Sequence, residues 1–569
     1  MADRPIIVLK FGGSVLARTE DIARAVHECY RWFRDGYRVL AVVSAIGDTT
    51  DRLLEHAHRY GHAPHASARA SLVATGEATS AAHLWLGCDA AGIDAIALDA
   101  RDMALRVAGP ADDAHPSSVD VQALNRALDA HAVVIVPGFV GVDGAGRVAL
   151  LGRGGSDLTA ILLAESLGAR CRLIKDVAGL YEHDPLRPGP FARRYAAITF
   201  EDAAQLGGAI LQPKALRWAR DRHFPFEVAT LAQSEATLVG AARTLFAVDS
   251  PTRPLRVALL GFGVVGRGVW RHLTQERDRF TLLGVAVRQA KRHADLVPPR
   301  LLWTDALALA EQDEADIVVE TIGGTDLALA AARATLRRGA RFVTANKALL
   351  AAFGEELTEL ARATGGAIVG SAAVGGAAPL LEAVAHARPA GITQLEGILN
   401  GTTNHMLDAQ RQGFTFAEAL ADAQALGFAE TDPSADLDGI DAAQKLVLLA
   451  RAAFGRDPDA LDVTGIRGLA LPAAEDATII RLVARAALVN GRVIGTVRPT
   501  PLSPDDPLAS AAGEWNALTI TTGHGERITV RGKGAGRGPT AEAIFADLLD
   551  AWRSEARLQA AAREEVLRG

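Results

Sequence analysis

Arg253–Gly268 reads RPLRVALLGFGVVGRG and divides the chain into two halves. The apolar run Val257–Leu260 predicts a buried parallel strand, and the glycines after it have G-x-G-x-x-G spacing. Such glycines allow a tight turn, close approach of a pyrophosphate and packing of the next helix, whose N–H groups face the phosphates. A simple glycine-rich turn is the alternative. We predict a dinucleotide site, formed by Gly261, Gly263, Val264, Val265, Gly266 and, from a later loop, Thr321.

The composition is that of an ordinary globular α/β protein. Of the 569 residues, 49% are hydrophobic and 22% are charged. The formal net charge of -7 gives no reason to expect nucleic acid or an anionic membrane as a partner. The three cysteines lack metal-ligand spacing, and the N-terminus lacks a signal-peptide pattern. We therefore expect a cytoplasmic protein without a membrane span.

The first half opens with a predicted strand, residues 5–10, that leads directly into FGGS. Backbone N–H groups of the glycines and the Lys10 ammonium can meet an anion at this strand end. From these residues alone, a phosphate loop and a simple turn are equally good interpretations. Three further predicted strands, 38–43, 132–137 and 171–174, also end in small or polar residues, and Ala74–Ser80 is predicted to open an apolar helix.

Six motifs of the first half, in this order and spacing, resemble the catalytic domain of aspartate kinase in the amino-acid kinase family. They are KFGGS, VVSAIGDTTDRLL, ATGEATS, PGFVG, LGRGGSDLTAILLAESLGA and KDVAGLYEHDP. The resemblance implies that residues 1–247 form a three-layer αβα sandwich. It also implies that ATP, with Mg²⁺, phosphorylates the β-carboxylate of aspartate.

The same resemblance assigns roles to individual residues of the first half. Phosphoryl transfer depends on positioning and charge neutralisation, which lysine and backbone N–H groups supply. Taken singly, Asp157 is equally well a helix N-cap, Arg153 a surface ion pair and Glu77 a capping carboxylate. By the resemblance, Lys10, Gly12 and Gly13 hold the transferring phosphoryl group, and Asp157 orients Lys10. The residues implied to bind aspartate are Thr50, Glu77 and Arg153. Those implied to border the nucleotide are Asp176 and Tyr181.

One position departs from the family pattern. Aspartate kinases usually carry a lysine that meets ATP phosphate four residues before the proline of a G-A-K-V-L-H-P segment. Here residues 207–213 read GGAILQP, which puts Ala209 at the lysine position. We hypothesise that Lys175 or Lys214 supplies the missing charge.

Arg288 follows the second predicted strand of the dinucleotide unit, Leu282–Val287. An acidic residue there would select NAD, whereas arginine suits the 2′-phosphate of NADP. We therefore predict that NADP(H) is preferred over NAD(H). The alternative is that Arg288 belongs to a solvated charged turn with Lys291 and Arg292.

Seven motifs of the second half resemble homoserine dehydrogenase. They are GFGVVGRG, ETIGG, VTANKALL, AAVGGAAP, LEGILNGTTNHML, GFAETDPSADLDGIDAAQKL and GKGAGRGPTAEAIFADLL. The resemblance implies reduction of aspartate semialdehyde to homoserine by a reduced nicotinamide, in a homodimer or a larger homo-oligomer. The implied domains are an NAD(P)-binding Rossmann domain over 255–385, an α+β substrate and dimerisation domain over 386–532, and a C-terminal helix within 533–569 that returns to the Rossmann domain.

By this resemblance Lys445 is the catalytic lysine, and Lys347 lies near both coenzyme and substrate. Glu430 and Asp441 would bind the polar groups of the substrate, with support from Asp436. Asp441 precedes Lys445 by four residues, which places both on one face if this stretch is helical. On its own, such a pair is typical of a surface ion pair.

Ser371 is the second departure from a family pattern. Homoserine dehydrogenases usually have a glutamate there, which helps backbone carbonyls to bind a monovalent cation. Serine is neutral and shorter, so the carbonyls of Val374, Gly376 and Ala378 would have to hold Na⁺ or K⁺ alone.

The junction between the halves, with a predicted linker at 248–254, is short. Related bifunctional enzymes place regulatory domains there, and even marginal domains need roughly 40 residues. We therefore expect a bifunctional aspartate kinase and homoserine dehydrogenase that threonine does not inhibit. One alternative is an active dehydrogenase with a non-catalytic kinase-like binding module. The other is a pair of generic α/β domains for other small substrates.

Overall fold

The computed structural model describes residues 4–60, 64–185, 192–207, 210–233, 235–247, 253–426, 428–430, 432–469, 479–534 and 537–568. The chain divides into two compact units, one built mainly from Arg4–Pro251 and the other from Thr252–Trp552. The predicted α/β class of both halves is confirmed. Among the described residues, no helix combines the length and the apolar character needed to cross a membrane. Ala209 and most of the predicted linker lie outside the described residues.

The first unit contains a nine-stranded sheet in the order β13-β10-β12-β11-β9-β1-β2-β6-β3 and a four-stranded sheet in the order β5-β4-β7-β8. Its strands are β1 (Ile6–Phe11), β2 (Arg38–Val43), β3 (Ala95–Ala97), β4 (Arg106–Ala108), β5 (His115–Ser118), β6 (Val133–Pro137), β7 (Val140–Val142), β8 (Val148–Leu150), β9 (Arg170–Ile174), β10 (Tyr195–Ile198), β11 (Phe226–Ala229), β12 (Thr237–Val239) and β13 (Leu245–Phe246). Its helices are α1 (Ile22–Arg34), α2 (Thr49–His58), α3 (Ala66–Ala91), α4 (Val121–Ala130), α5 (Gly155–Leu167), α6 (Phe200–Gln205) and α7 (Pro213–Asp221).

Strand β1 organises the first unit. All six of its residues are buried, and it pairs in parallel with β2 on one side and β9 on the other. Lys10 is in register with Leu173, so the carboxyl ends of β1 and β9 reach the same edge of the sheet. Ligands of open α/β sheets bind at such edges.

The second unit contains two six-stranded sheets, β16-β15-β14-β17-β18-β19 and β21-β23-β22-β20-β24-β25. Its strands are β14 (Leu255–Leu260), β15 (Phe280–Ala286), β16 (Leu302–Trp303), β17 (Ile317–Glu320), β18 (Arg341–Thr344), β19 (Ala367–Val369), β20 (Ile392–Ile398), β21 (Ala460–Val463), β22 (Ile479–Val489), β23 (Arg492–Leu502), β24 (Trp515–Thr522) and β25 (Arg527–Lys533). Its helices are α8 (Val264–Gln275), α9 (Ala306–Ala310), α10 (Asp326–Arg337), α11 (Lys347–Thr364), α12 (Ser371–Gly375), α13 (Leu380–Ala387), α14 (Gly401–Arg411), α15 (Phe416–Ala425), α16 (Ser434–Leu437), α17 (Ile440–Phe454) and the beginning of α18 (Arg537–Arg568).

The first of these sheets is parallel throughout, as a Rossmann fold requires. The second is mostly antiparallel. The beginning of α18 lies against the Rossmann elements. There Phe545 stacks on His272 of α8 with ring centroids 4.7 Å apart, and the carbonyl of Ala551 accepts a hydrogen bond from Arg341 at 2.8 Å.

Candidate active sites

The first unit has a cavity of about 660 Å³ where strand ends meet the first turn of α5. Gly154, at φ 80°, caps this helix, and a Cβ at that position would lie 2.3 Å from Gln212. The N-terminus of this helix gives the cavity an anion-attracting edge. Seven residues predicted for the kinase site line it: Lys10, Gly12, Gly13, Thr50, Glu77, Arg153 and Asp157.

Two lysines meet one buried carboxylate in this cavity. Lys10 Nζ lies 2.7 Å from Asp157 Oδ1, and Lys175 Nζ lies 2.8 Å from Asp157 Oδ2. Burial alone would raise the pKa of Asp157, but the two lysines outweigh it and lower that pKa to about 2. Burial lowers the pKa of Lys10. With both amines protonated, the cluster carries an excess positive charge that suits a phosphoryl group.

Glu77 faces the cavity from α3 and is 2% exposed. Its Oε1 accepts the N–H of Ala45 at 3.4 Å, whereas its Oε2 has no hydrogen-bond partner among the described residues. Burial raises the pKa of this carboxyl to about 7. A buried oxygen without a partner is costly, so a cationic ligand group would satisfy it.

The two lysines hypothesised to compensate for Ala209 have different surroundings. Lys175 lines the cavity. Lys214 Nζ instead donates to Asp113 Oδ1 at 2.7 Å and to the carbonyls of Ala114 and Leu151 at 3.0 and 2.7 Å. Its three donors are thereby used in holding neighbouring chain segments together.

Asp176 and Tyr181 are not among the residues that line the cavity. Asp176 is exposed and accepts a hydrogen bond at 3.3 Å from Ser14, which is a lining residue. Tyr181 forms a β-bridge with Arg194. Arg153 is exposed at the cavity, and Thr50 reaches it from α2.

In the second unit, the three glycines between β14 and α8 differ in their surroundings. Gly261 has φ 101°, a conformation that favours glycine. A Cβ at Gly266 would lie 2.3 Å from the carbonyl oxygen of Gly261, so only glycine lets the helix pack this closely. A Cβ at Gly263 would meet no atom within 4 Å. Open space therefore faces the second glycine, where the backbone and the N-terminus of α8 can take a pyrophosphate. Val264 and Val265 are the first residues of α8. The hydroxyl of Thr321 donates to the carbonyl oxygens of Leu260 and Gly261, next to the glycine turn.

A second pair of lysines meets a carboxylate at the start of α17. Lys445 Nζ lies 3.0 Å from Asp441 Oδ2 and donates to the carbonyl of Leu399 at 2.6 Å. Lys347 Nζ forms an ion pair with the other oxygen of Asp441. The Asp441–Lys445 pair is buried, which excludes the interpretation as a surface ion pair.

The motifs gave no role to Asn400, although it joins this cluster. Asn400 Nδ2 donates to Asp436 at 2.7 Å and to Asp441 at 3.0 Å, while its Oδ1 caps α14 by accepting the N–H of Thr403. Its place inside the motif LEGILNGTTNHML was the available signal. Glu430 is exposed, and its charge partly offsets the lowering of the Lys347 pKa.

Burial lowers the pKa of the ammonium groups of both Lys347 and Lys445. The pKa of Lys445 falls to about 8 through burial, opposed by Asp436. The pKa of Lys347 also falls to about 8, through burial and then through the neighbouring charge of Lys445. Such groups release a proton readily near neutral pH.

Two predicted sites of the second unit are less enclosed. Arg288 is exposed just after β15 ends. In the expected cation loop, Val374 lies within α12, and the carbonyl of Ala378 already accepts the N–H of Leu380 at 2.8 Å. Gly376 has φ 56° and packs against the carbonyls of Lys533 and Gly534. Binding of Na⁺ or K⁺ by these carbonyls stays a prediction.

A parallel sheet with a dinucleotide turn, in one unit with two lysines of lowered pKa on one buried carboxylate, is typical of a dinucleotide-dependent oxidoreductase. The family comparisons agree. Residues 261–369 match the family described as "Homoserine dehydrogenase, NAD binding domain", and residues 379–549 match "Homoserine dehydrogenase". Residues 5–228 match "Amino acid kinase family".

Individual relatives match about half of the chain. A homoserine dehydrogenase from Corynebacterium glutamicum is 37% identical over 326 residues, which are 54% of this chain and 73% of that protein. One from Bacillus subtilis is 33% identical over 319 residues, or 52% of this chain and 72% of that protein. A solved homoserine dehydrogenase from Thiobacillus denitrificans is 34% identical, covers 53% of this chain and 73% of its own, and has a TM-score of 0.49. The chain belongs to the homoserine dehydrogenase family and carries an amino-acid-kinase domain before it.

Proposed function

We propose that this chain is a bifunctional enzyme of amino-acid biosynthesis. Its first half phosphorylates the β-carboxylate of L-aspartate with ATP, and its second half reduces aspartate semialdehyde to L-homoserine with NAD(P)H. The observation that carries the proposal is a buried carboxylate shared by two lysines in each unit: Lys10–Asp157–Lys175 in the first and Lys347–Asp441–Lys445 in the second.

In the kinase half, Lys10 and the amides of Gly12 and Gly13 neutralise and orient the transferring phosphoryl group, while Asp157 fixes the lysine. Glu77 Oε2, which has no hydrogen-bond partner among the described residues, accepts a hydrogen bond from the ammonium group of aspartate. Arg153 and Thr50 hold its carboxylates, and Asp176 and Tyr181 border the nucleotide. ATP enters as its Mg²⁺ complex, to which we assign no protein ligand.

We further propose that Lys175 supplies the positive charge that is missing because position 209 is alanine instead of lysine. Lys175 lines the cavity and binds the free side of Asp157 at 2.8 Å. Lys214 donates to three oxygens elsewhere, so it is not available to a nucleotide. A non-catalytic kinase-like module is the second candidate, and the absent lysine at position 209 is the observation that favours it.

In the dehydrogenase half, the glycine turn and α8 fit the pyrophosphate of a dinucleotide, whose reduced nicotinamide supplies the hydride. Negative charge develops on the aldehyde oxygen, and the Lys445 ammonium donates a proton to it. Asp441 and the carbonyl of Leu399 orient this ammonium. Lys347 lies beside it on the shared carboxylate, and Glu430, Asp436 and Asp441 bind the polar groups of the substrate.

We propose NADP(H) as the preferred coenzyme because Arg288 is exposed at the end of β15, where a guanidinium can reach a 2′-phosphate. Replacing Arg288 with alanine should then lower the ratio of kcat/KM for NADPH to kcat/KM for NADH. An unchanged ratio would contradict this assignment.

We also propose a homodimer or a larger homo-oligomer in the cytoplasm. Exposed Leu461 and Val463 on the edge strand β21 and exposed Leu488 and Val489 on β22 support self-association. The three cysteines are buried free thiols, in keeping with a reducing compartment. Sedimentation velocity of the purified chain tests the oligomeric state, and a monomer would exclude it.

The decisive experiment measures both reactions in one preparation. Aspartyl hydroxamate formation from aspartate, Mg-ATP and hydroxylamine should disappear in Lys10→Ala, while oxidation of NADPH with aspartate semialdehyde persists. In Lys445→Ala the reverse is expected, with kcat for reduction lower by about 10²–10⁴-fold. The rate of reduction should also fall as pH rises through about 8, because Lys445 donates only when protonated. Wild-type protein that reduces the semialdehyde but forms no hydroxamate would favour the non-catalytic module.

A further inference from the structure

A buried carboxylate, Glu320, ends strand β17, and none of the roles above uses it. Its exposed fraction is 0%. Its Oε1 accepts the N–H groups of Ile322 and Gly323 at 2.7 and 2.9 Å, and its Oε2 accepts the hydroxyl of Thr344 at 2.5 Å. Burial of a carboxylate is costly unless such donors satisfy it. The carboxylate is therefore held by the loop after β17 and by Thr344, the last residue of β18.

Thr344 extends these contacts to Lys347. Its Oγ1 accepts the N–H of Asn346 at 2.9 Å, and Asn346 Nδ2 donates to the carbonyl of Gly324 at 2.5 Å. Asn346 Oδ1 also caps α11 by accepting the N–H of Leu349 at 3.1 Å. Lys347 is the first residue of α11, so this network fixes the start of the helix that carries it.

The loop after β17 also contacts the dinucleotide turn. The Thr321 hydroxyl lies 3.0 Å from the carbonyl oxygen of Leu260 and 3.3 Å from that of Gly261. Glu320 thus lies between the glycine turn on one side and the Lys347 helix on the other. The glycine turn and Lys347 must keep a fixed separation if coenzyme and substrate are to react, because a misplacement of about 1 Å can lower the rate about 100-fold.

We propose that Glu320 and Thr344 are a positioning pair, which holds the loop 321–324 and Lys347 in the relative arrangement that hydride transfer requires. Neither side chain needs to touch substrate, because Glu320 acts through the loop backbone and Thr344 acts through Asn346. The inference rests on the dehydrogenase function proposed above. It gives the two residues separable effects, since Thr344 links only the Lys347 side of the network.

The test compares variants of the full chain in NADPH oxidation with aspartate semialdehyde. Thr344→Val removes the hydroxyl at nearly constant shape, and we expect kcat to fall about 10–100-fold with the KM for NADPH nearly unchanged. Thr344→Ser keeps the hydroxyl and should restore kcat. Glu320→Ala releases the loop after β17 as well as the hydroxyl of Thr344, so it should lower kcat and also raise the KM for NADPH.

Asp316→Asn is the matched control, because Asp316 lies immediately before the other end of β17. There it pairs with Arg253 at 2.7 Å and with Arg256 at 3.3 Å. The control should lower the unfolding temperature without changing kcat or KM. A purely structural role for Thr344 predicts the same behaviour for Thr344→Val, which would overturn the proposal.

Amide hydrogen exchange provides a readout that needs no activity. In Thr344→Val, exchange at 346–349 should accelerate while 322–323 stay protected by Glu320, whereas in Glu320→Ala both segments should accelerate. Unchanged exchange in both variants would refute the positioning pair. Absence of semialdehyde reduction by wild-type protein would instead refute the proposed dehydrogenase function, and the exchange data would still decide the arrangement of the loops.

Discussion

At the scale of single residues, Asp157 illustrates what a motif can and cannot predict. The motif placed it beside Lys10, and the structure excludes the alternative of a helix N-cap because Gly154 occupies that position. The contact between Asp157 and Lys175 could not be predicted from the sequence, because 18 residues separate them and the contact depends on how α5 packs against the end of β9. The raised pKa of Glu77 has the same origin, because burial depends on the whole fold.

Lys175 leads to a prediction at this scale. Lys175→Ala should raise the KM for ATP about tenfold or more in hydroxamate formation, because a charge-assisted hydrogen bond to phosphate contributes about 1.5–3 kcal/mol. The KM for aspartate should change less. Steady-state kinetics at saturating concentrations of the other substrate measure both values.

Lys214→Ala is the matched control for Lys175→Ala, because it removes the same charge from a lysine that donates to Asp113, Ala114 and Leu151. It should lower the unfolding temperature and leave the KM for ATP nearly unchanged. If the two variants show the opposite pattern, Lys214 is the compensating residue and the assignment of Lys175 is wrong.

At the scale of elements, the turn from β14 to α8 was predictable because each glycine has a local steric reason. Helix α3 was not. The sequence predicted a helix beginning at Ala74–Ser80, yet α3 begins at Ala66. Gly76 lies inside this helix, and a Cβ there would lie 3.1 Å from Ala45 and 3.3 Å from Leu53. Its absent side chain lets α3 approach neighbouring residues, and only tertiary packing reveals this.

The glycine turn yields a prediction that separates binding from folding. Gly263→Ala places its methyl group in open space, so the unfolding temperature should stay near that of the wild type while the KM for NADPH rises at least tenfold through obstruction of the pyrophosphate. Gly266→Ala places a Cβ 2.3 Å from the carbonyl of Gly261, so both stability and coenzyme affinity should fall. Thermal unfolding and coenzyme titration measure the two effects.

The contrast between these two variants is the informative result. Equal losses of unfolding temperature in Gly263→Ala and Gly266→Ala would mean that both glycines serve packing alone. Wild-type coenzyme affinity in Gly263→Ala would place the pyrophosphate away from this turn.

At the scale of the whole molecule, the order of motifs predicted two α/β halves, and the structure has two compact units with separate sheets. Asn400 was missed because its role depends on this level of organisation. It follows β20, whereas its partners Asp436 and Asp441 come from α16 and α17 much later in the chain. The spacing of residues within one motif carries no information about contacts with residues far away in the chain.

The junction between the units supports the last prediction. Strand β13 ends at Phe246 and β14 begins at Leu255, so residues 247–254 are all that separates the two sheets along the chain. Even a marginal domain needs roughly 40 residues, so we expect no separate regulatory domain in this junction. We therefore expect that neither threonine nor lysine at millimolar concentration inhibits hydroxamate formation or semialdehyde reduction by this chain. Initial rates measured across a titration of each amino acid test this, with aspartate as the positive control for occupancy of the kinase site. A saturable inhibition curve for threonine or lysine that is not competitive with the substrate would show a regulatory site within the two units themselves.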